Sequence, residues 1–356
     1  MRPTHAPHAH AGATVSRTML LVMLALVPAT LFGFWLNGWP AVLLWTVTVA
    51  SAVVAEFFSL RMAGREAGPA LADGSAALTG WLLALSLPAW APWWTGVLGS
   101  VFAVVVVKQA FGGLGQNLFN PAMAARVMLL IAFPVELTTW VQPAPWSSGQ
   151  ALSLSQAFAL TFLGEMPVSF DALSSATTLG HVKTELTRGI PVGEALAAHP
   201  ASLGAGLLGM HGGSLGETAA VLIAMGGLAM VALRIISWHI PLAMLAGVAL
   251  PALLLNAHDP ARYLDAASHL LSGGLMLGAF FIATDPVTSP GTPRGQLIFG
   301  FGCGLLTWLI RTYGGYPEAV AFAVLLMNSF TPVIDRYVRP RVYGHARARA
   351  PEGGAS

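Results

Sequence analysis

Apolar residues in this chain come in long blocks. A helix that crosses a bilayer needs about 20 such residues, fewer where the helix is broken. The pattern predicts spans near residues 19–36, 41–60, 75–87, 95–107 and 121–133. A polar stretch rich in Ser, Thr and Pro follows, over 135–202. Five more spans are expected near 217–235, 240–255, 268–282, 296–310 and 319–334, and a basic tail closes the chain.

Several of these blocks are short and bordered by Gly or Pro. Irregular backbone at membrane depth survives only when buried in protein or lining a cavity. Gly112–Gly115 before Asn120-Pro121, and Asp285-Pro286 after the eighth block, read as such breaks. The halves also echo each other. Phe111-Gly112-Gly113 returns as Tyr313-Gly314-Gly315, and Leu87-Pro88 as Asp285-Pro286, each about 200 positions later. We therefore expect an all-α integral membrane fold of about ten transmembrane helices in a five-plus-five inverted repeat. Such repeats place binding sites at midplane breaks.

Composition agrees. The 356 residues are 55% hydrophobic and 9% charged, with net charge +2. Soluble domains carry about 25% charged residues, so lipid must solvate most of the surface. The small net charge offers no case for a nucleic-acid partner. The single cysteine, Cys303, cannot supply an iron–sulfur cluster or an internal disulfide. The first residues, with His5, His8 and His10, lack the cleavage site of a signal peptide. They form a short His tract that could bind metal or stay disordered.

Orientation follows from the basic residues. With the N-terminus inside, Arg2, Arg17, Arg61, Arg65, Lys108, Arg234, Arg294 and the tail arginines fall on inner segments. Lys183, Arg188, Arg262 and Arg311 fall outside. The expected organisation is a cytoplasmic tail (1–17), a first membrane half (18–134), an outer loop (135–202), a second half (203–335) and a basic cytoplasmic tail (336–356). In a Gram-negative cell the loop would be periplasmic.

Ionisable residues inside a membrane are functional candidates by default. Glu56, Glu217 and Asp285 qualify, and Arg126 could pair with one of them. Asp285 is the candidate for ion coupling or for holding the broken helix. His239 and His269, near the ends of different spans, could face each other across a haem or serve as caps. Trp35, Trp39, Trp90, Trp93 and Trp94 read as an aromatic belt. The outer loop holds Asp171-Ala172-Leu173-Ser174-Ser175-Ala176-Thr177-Thr178-Leu179, which read from composition alone is a Ser/Thr-rich turn.

That segment resembles the flavinylation motif Asp-(small)-x-Ser-x-Ala-Thr, whose final threonine carries FMN through a phosphodiester bond. Ser175 stands where many such motifs have Gly. Gly112–Ala122, Phe280–Thr288, Arg311–Pro317 and Arg339–Gly344 resemble further signatures of one family. The chain resembles the D subunit of the Rnf-type ion-translocating electron transport complex, homologous to the B subunit of the sodium-translocating NADH:quinone reductase. The likeness covers nearly the whole chain after the N-terminal tail.

The resemblance implies FMN on Thr177, with Thr178 as the rival acceptor, attached by an extracytoplasmic flavin transferase that recognises Asp171 and Ser174. It implies an inner-membrane subunit relaying electrons between partners, above all the flavin-bearing G subunit, while ferredoxin and NAD chemistry coupled to ion movement occurs on other subunits. The chain itself has no NADH or iron–sulfur site. His181, Lys183 and Arg188 could offset the phosphodiester charge or be ordinary loop charges. A second, non-covalent flavin (riboflavin in the related B subunit) could sit on Asn117 and Asn120. Those residues are equally suited to capping the helix that Pro121 opens. The alternative function is a secondary transporter or channel without redox chemistry.

Overall fold

The computed structural model describes residues 14–166, 177–198, 209, 212–216, 220–316 and 319–339. Among them the secondary structure is helical, with one isolated bridge between Pro88 and Ser214 and no strand. His5, His8, His10, Asp171, Ser174, Ser175 and Glu217 lie outside the described residues.

The first half comprises α1 (Val15–Asn37), α2 (Trp39–Met62), a short α3 (Ala67–Leu71), α4 (Ser75–Ser86), α5 (Trp93–Val101) and α6 (Pro121–Ala132). A wider π-helical stretch, Phe102–Gln109, prolongs α5. The loop region carries α7 (Pro134–Thr138), α8 (Leu154–Phe158) with a π extension Ala159–Leu163, α9 (Thr178–Thr187) and α10 (Val192–Ala198). The second half comprises α11 (Ala220–Ala232), α12 (His239–His258), α13 (Ala266–Leu271), α14 (Leu275–Leu277), α15 (Pro293–Tyr313) and α16 (Val320–Tyr337). The π segment Gly278–Ile282 follows α14.

Three of these helices, α1, α2 and α12, are long and apolar enough to cross a membrane, and α4, α5 with its extension, α6, α8 with its extension, and α11 are shorter apolar helices. Their surfaces show which solvent they meet. Only 28% of the apolar window of α1 is buried within the protein, and Leu24, Phe58, Met225 and Leu254 face outward. In water such surface would aggregate; in a bilayer it is solvated.

Local chemistry sets where helices begin. Asn120 Oδ1 accepts from Met123 N–H at 3.2 Å with Pro121 as the first helical residue. Thr292 caps α15 in the same way, ahead of Pro293. Asp265 caps α13. The break between the π stretch and α6 needs left-handed backbone: Gly112, Gly113 and Gly115 have φ of 117°, 102° and 90°, which side chains with a Cβ rarely adopt. The eighth block is the most broken, with α13, a Ser272–Gly274 interruption, α14 and the π turn replacing one continuous helix.

One core unites the halves, running from Leu26, Leu44, Leu83 and Leu129 to Ile223, Met244 and Phe299. Within each half, α2 packs on α4 and α5, and α12 packs on α13 and α15. Between halves, α1 meets α11 and α6 meets α16. The α12–α15 contact is made by small residues. A Cβ on Gly304 would overlap the Met244 carbonyl oxygen, and one on Gly247 the Phe301 carbonyl. Close backbone approach of this kind is how membrane helices gain dispersion contact without a hydrophobic drive.

Tryptophans of the first half make aromatic contacts. Trp39 lies 5.5 Å from Trp146, Trp93 stacks at 6.2 Å on Phe162, and Trp94 meets Phe133 edge-on at 4.8 Å. Trp93 thereby seats the α8 extension, and Trp39 the turn at Trp146, against the bundle.

Candidate functional site

Two polar regions stand at opposite ends of the bundle. The 21-residue α15 joins them, and a helix of that length spans about 30 Å.

At the Met62 end, three elements of the first half converge on a buried ion pair. Lys108 Nζ donates to Glu56 Oε1 at 2.6 Å, with both side chains 2% exposed. Lys108 also donates to Ser75 Oγ at 2.6 Å, and Gln109 Nε2 donates to the same Glu56 oxygen at 2.8 Å. Ser75 Oγ in turn donates to Asp73. The partner of Glu56 is therefore Lys108. Lys108 is buried protein interior, not a solvated flank. Arg126 is itself buried in α6.

The two backbone breaks meet beside this pair. Asn328 on α16 receives the Asn120 backbone N–H on Oδ1 at 3.1 Å, and its Nδ2 donates to the Thr288 carbonyl at 3.1 Å. Asn120 Nδ2 reaches the Ile282 carbonyl at 3.5 Å. Asp285 binds its own turn, accepting from Val287 N–H at 3.1 Å and from Thr288 Oγ1 at 3.3 Å. That is the geometry of a side chain holding a broken helix. Asn117 Nδ2 donates to the Phe119 carbonyl at 3.0 Å. A cavity of about 100 Å³ lies among Lys108, Ser75, Asn117, Asn120, Thr284 and Asp285. Asn117, Asn120 and Asp285 are thus brought together, and their hydrogen bonds toward the chain are structural ones. Asn328 escaped the sequence reading, because nothing separates one Asn in an apolar block from a satisfied core residue.

At the other end, Thr177 is the N-cap of α9. Its Oγ1 accepts from Gly180 N–H at 3.1 Å, and the residue is 8% exposed. The start of α9 therefore presents its unpaired backbone N–H groups and positive dipole end at this oxygen. Leu179 and Val182 pack with Val192, Ala195 and Leu264, which ties α9 to α10 and to the segment before α13.

The basic residues after Thr177 divide their roles. Lys183 donates to the carbonyls of Arg311, at 3.2 Å, and of Gly314. It thereby closes the C-terminus of α15, where a cation suits the dipole. Burial pulls its amine below the ordinary lysine value. Arg188 pairs with Glu185 at 2.8 Å on the surface, the ordinary loop charge of the two expectations. Arg311 donates to the carbonyls of His269 at 2.7 Å and Ser272 at 2.8 Å, closing α13. The Arg-Thr-Tyr-Gly-Gly segment that begins at Arg311 is therefore a docking platform for the loop, which its glycines alone did not disclose.

The haem alternative fails on position. His269 sits beside Arg311 at the α9 end. His239 opens α12 at the far end, stacked on Trp238 at 4.1 Å, while the last turn of α12 bonds Tyr263 near Tyr313 through Asn256. No group of three or more metal-ligating side chains exists among the described residues.

Comparison with known proteins adds the context. A family model described as the NQR2, RnfD, RnfE family matches residues 3–344. The chain is 52% identical over 347 residues to a protein of Halorhodospira halophila, covering 97% of this chain and 96% of that one. It is 55% identical over 331 residues to a protein of Stutzerimonas stutzeri, covering 93% and 92%. It is 49% identical over 308 residues to one from Rhodobacter capsulatus, covering 86% and 85%. All three carry the name of the D subunit of an ion-translocating oxidoreductase complex.

Proposed function

This chain is a multi-pass membrane protein of the NQR2, RnfD, RnfE family, and from that premise we propose that it is the D-type subunit of a redox-driven, ion-translocating oxidoreductase complex, carrying FMN on Thr177. The observation that carries the reading is the place of Thr177. Its hydroxyl oxygen sits at the N-terminus of α9, where backbone N–H groups and the helix dipole stabilise a phosphate ester. Motif and electrostatics both support the same atom. Because Thr177 is nearly covered, the transferase must meet it through local opening of the loop, or before α9 docks.

Bound flavin would supply one- and two-electron transfer, while the chain supplies position and field. Ferredoxin and NAD chemistry belongs to partner subunits, with the flavin-bearing G subunit as the outer neighbour. Support for an inner-membrane topology with cytoplasmic termini and a periplasmic α9 comes from the arginine distribution. The mirrored packing, α2 with α4 and α5 against α12 with α13 and α15, supports the five-plus-five repeat. A non-covalent riboflavin at Asn117 and Asn120 is the finer proposal for the inner end. The cavity there, about 100 Å³, is smaller than the roughly 300–1,000 Å³ of small-molecule sites, so the breaks would have to part to admit it. Asp285, at the same cavity, is the candidate for ion coupling.

The test is in-gel flavin fluorescence of the denatured full-length chain, expressed with its transferase. Wild type should fluoresce and Thr177→Ala should be dark. A fluorescent Thr177→Ala moves the anchor to Thr178. A dark wild type, with the transferase active on a control substrate, returns the chain to the transporter reading.

A further inference from the structure

The α9 end contains a cleft that capping and packing do not consume. It encloses about 820 Å³, within the range of small-molecule sites. Lys183, Arg262, His269 and Arg311 line it, and among the described residues no Asp or Glu does. Gly180, whose N–H holds the Thr177 oxygen, is part of its wall. An ammonium has three donors, and Lys183 uses two on the α15 carbonyls, which leaves capacity for one more. Arg262 is exposed, its guanidinium 5.8 Å from the Tyr263 ring. The Tyr263 and Tyr313 hydroxyls meet at 3.3 Å. Size, a single sign of charge, a cation on an aromatic ring and a paired tyrosine edge describe a receptor for a planar, anionic molecule.

We propose that this cleft seats the flavin carried on Thr177, with Lys183 and Arg262 facing its phosphodiester and ring carbonyl oxygens and the Tyr263–Tyr313 pair against its ring. The inference rests on the Thr177 reading above and adds what holds the ring once it is attached. A tether one helical turn from the cleft wall makes the encounter intramolecular, so modest contacts suffice to seat it. The cationic wall favours negative charge on the ligand, through charge-assisted hydrogen bonds where donors reach it.

The experiment uses the full chain, flavinylated in membranes and purified in detergent. Denatured band fluorescence measures attachment. Emission of the folded protein and its quenching by acrylamide, a neutral quencher indifferent to the arginines, measure the seat. Tyrosine in contact with a flavin quenches its emission. Wild type should therefore be dim when folded and bright when denatured. The Tyr263→Leu/Tyr313→Leu double variant should keep its band and emit several-fold more when folded. Arg262→Gln, a change on an exposed side chain, should keep its band and show at least twofold stronger acrylamide quenching. If bands are intact and both variants behave as wild type, the ring is seated elsewhere while the Thr177 anchor stands. The Arg262→Gln result decides alone if the double variant does not fold. A dark wild-type band removes the anchor, and the seat with it.

Discussion

The two ends of the bundle use polar side chains in opposite ways. At the Met62 end, Glu56, Lys108, Gln109, Ser75 and Asn328 spend their hydrogen bonds on one another and on broken backbone, and about 100 Å³ is left beside them. At the α9 end, cations of one sign surround some 820 Å³. Buried charge is tolerable only when paired and hydrogen-bonded, so the first arrangement fixes a conformation. At the second, Lys183 and Arg311 also spend donors on carbonyls, but Arg262 is exposed and stays available beside an open cleft, so that end can receive a ligand. The contrast separates holding the fold from offering a site.

Breaking the closed end should produce the largest effect. Lys108→Ala strands the Glu56 carboxylate and should cost about 3–5 kcal/mol, seen as a large drop in the thermal midpoint of the protein in detergent. Lys108→Met with Glu56→Gln should recover most of that loss. No recovery would mean that the pair does more than neutralise itself. Asn120→Ala comes next. It removes the α6 cap, worth about 1 kcal/mol, and faster hydrogen exchange should follow in the 110–120 break and around Thr288.

The open end should respond more weakly. Lys183→Ala removes two bonds to the end of α15 at a cost of about 1–2 kcal/mol, and the change should be confined to α9. Limited proteolysis should then cut near α9 while the midpoint of the bundle stays in place. Arg188→Ala should be smallest, within about 0.5 kcal/mol, because the Arg188 side chain is solvent-exposed and such pairs contribute little. A larger Arg188 effect would erase the distinction between the two ends.

Much of this was readable in the chain. Asn120-Pro121 announced a helix start and became one. Gly112–Gly115 announced a break and holds left-handed backbone. The expected block 240–255 became α12, and 75–87 became α4, each within a few residues. The eighth block was legible only as apolar, since hydropathy does not register the interruption at Ser272–Gly274. The expected 135–202 loop also hid an apolar helix, Leu154–Leu163, because its neighbours diluted the pattern. Thr177 was legible through its motif, but its role as N-cap needed α9 in place.

Hydropathy, turn chemistry and short motifs therefore determined the solvent of this protein, most helix positions and the candidate anchor, because each is local: a block length, a cap, a run of seven residues. Only the tertiary structure decided that Glu56 answers Lys108, that Asn328 ties two breaks together, and that Lys183 closes α15 while Arg262 stays at a cleft. Those assignments join residues from tens to some 200 positions apart. A charge in a sequence has no partner until folding brings one within hydrogen-bond reach, and the low dielectric of the interior then makes that partner matter.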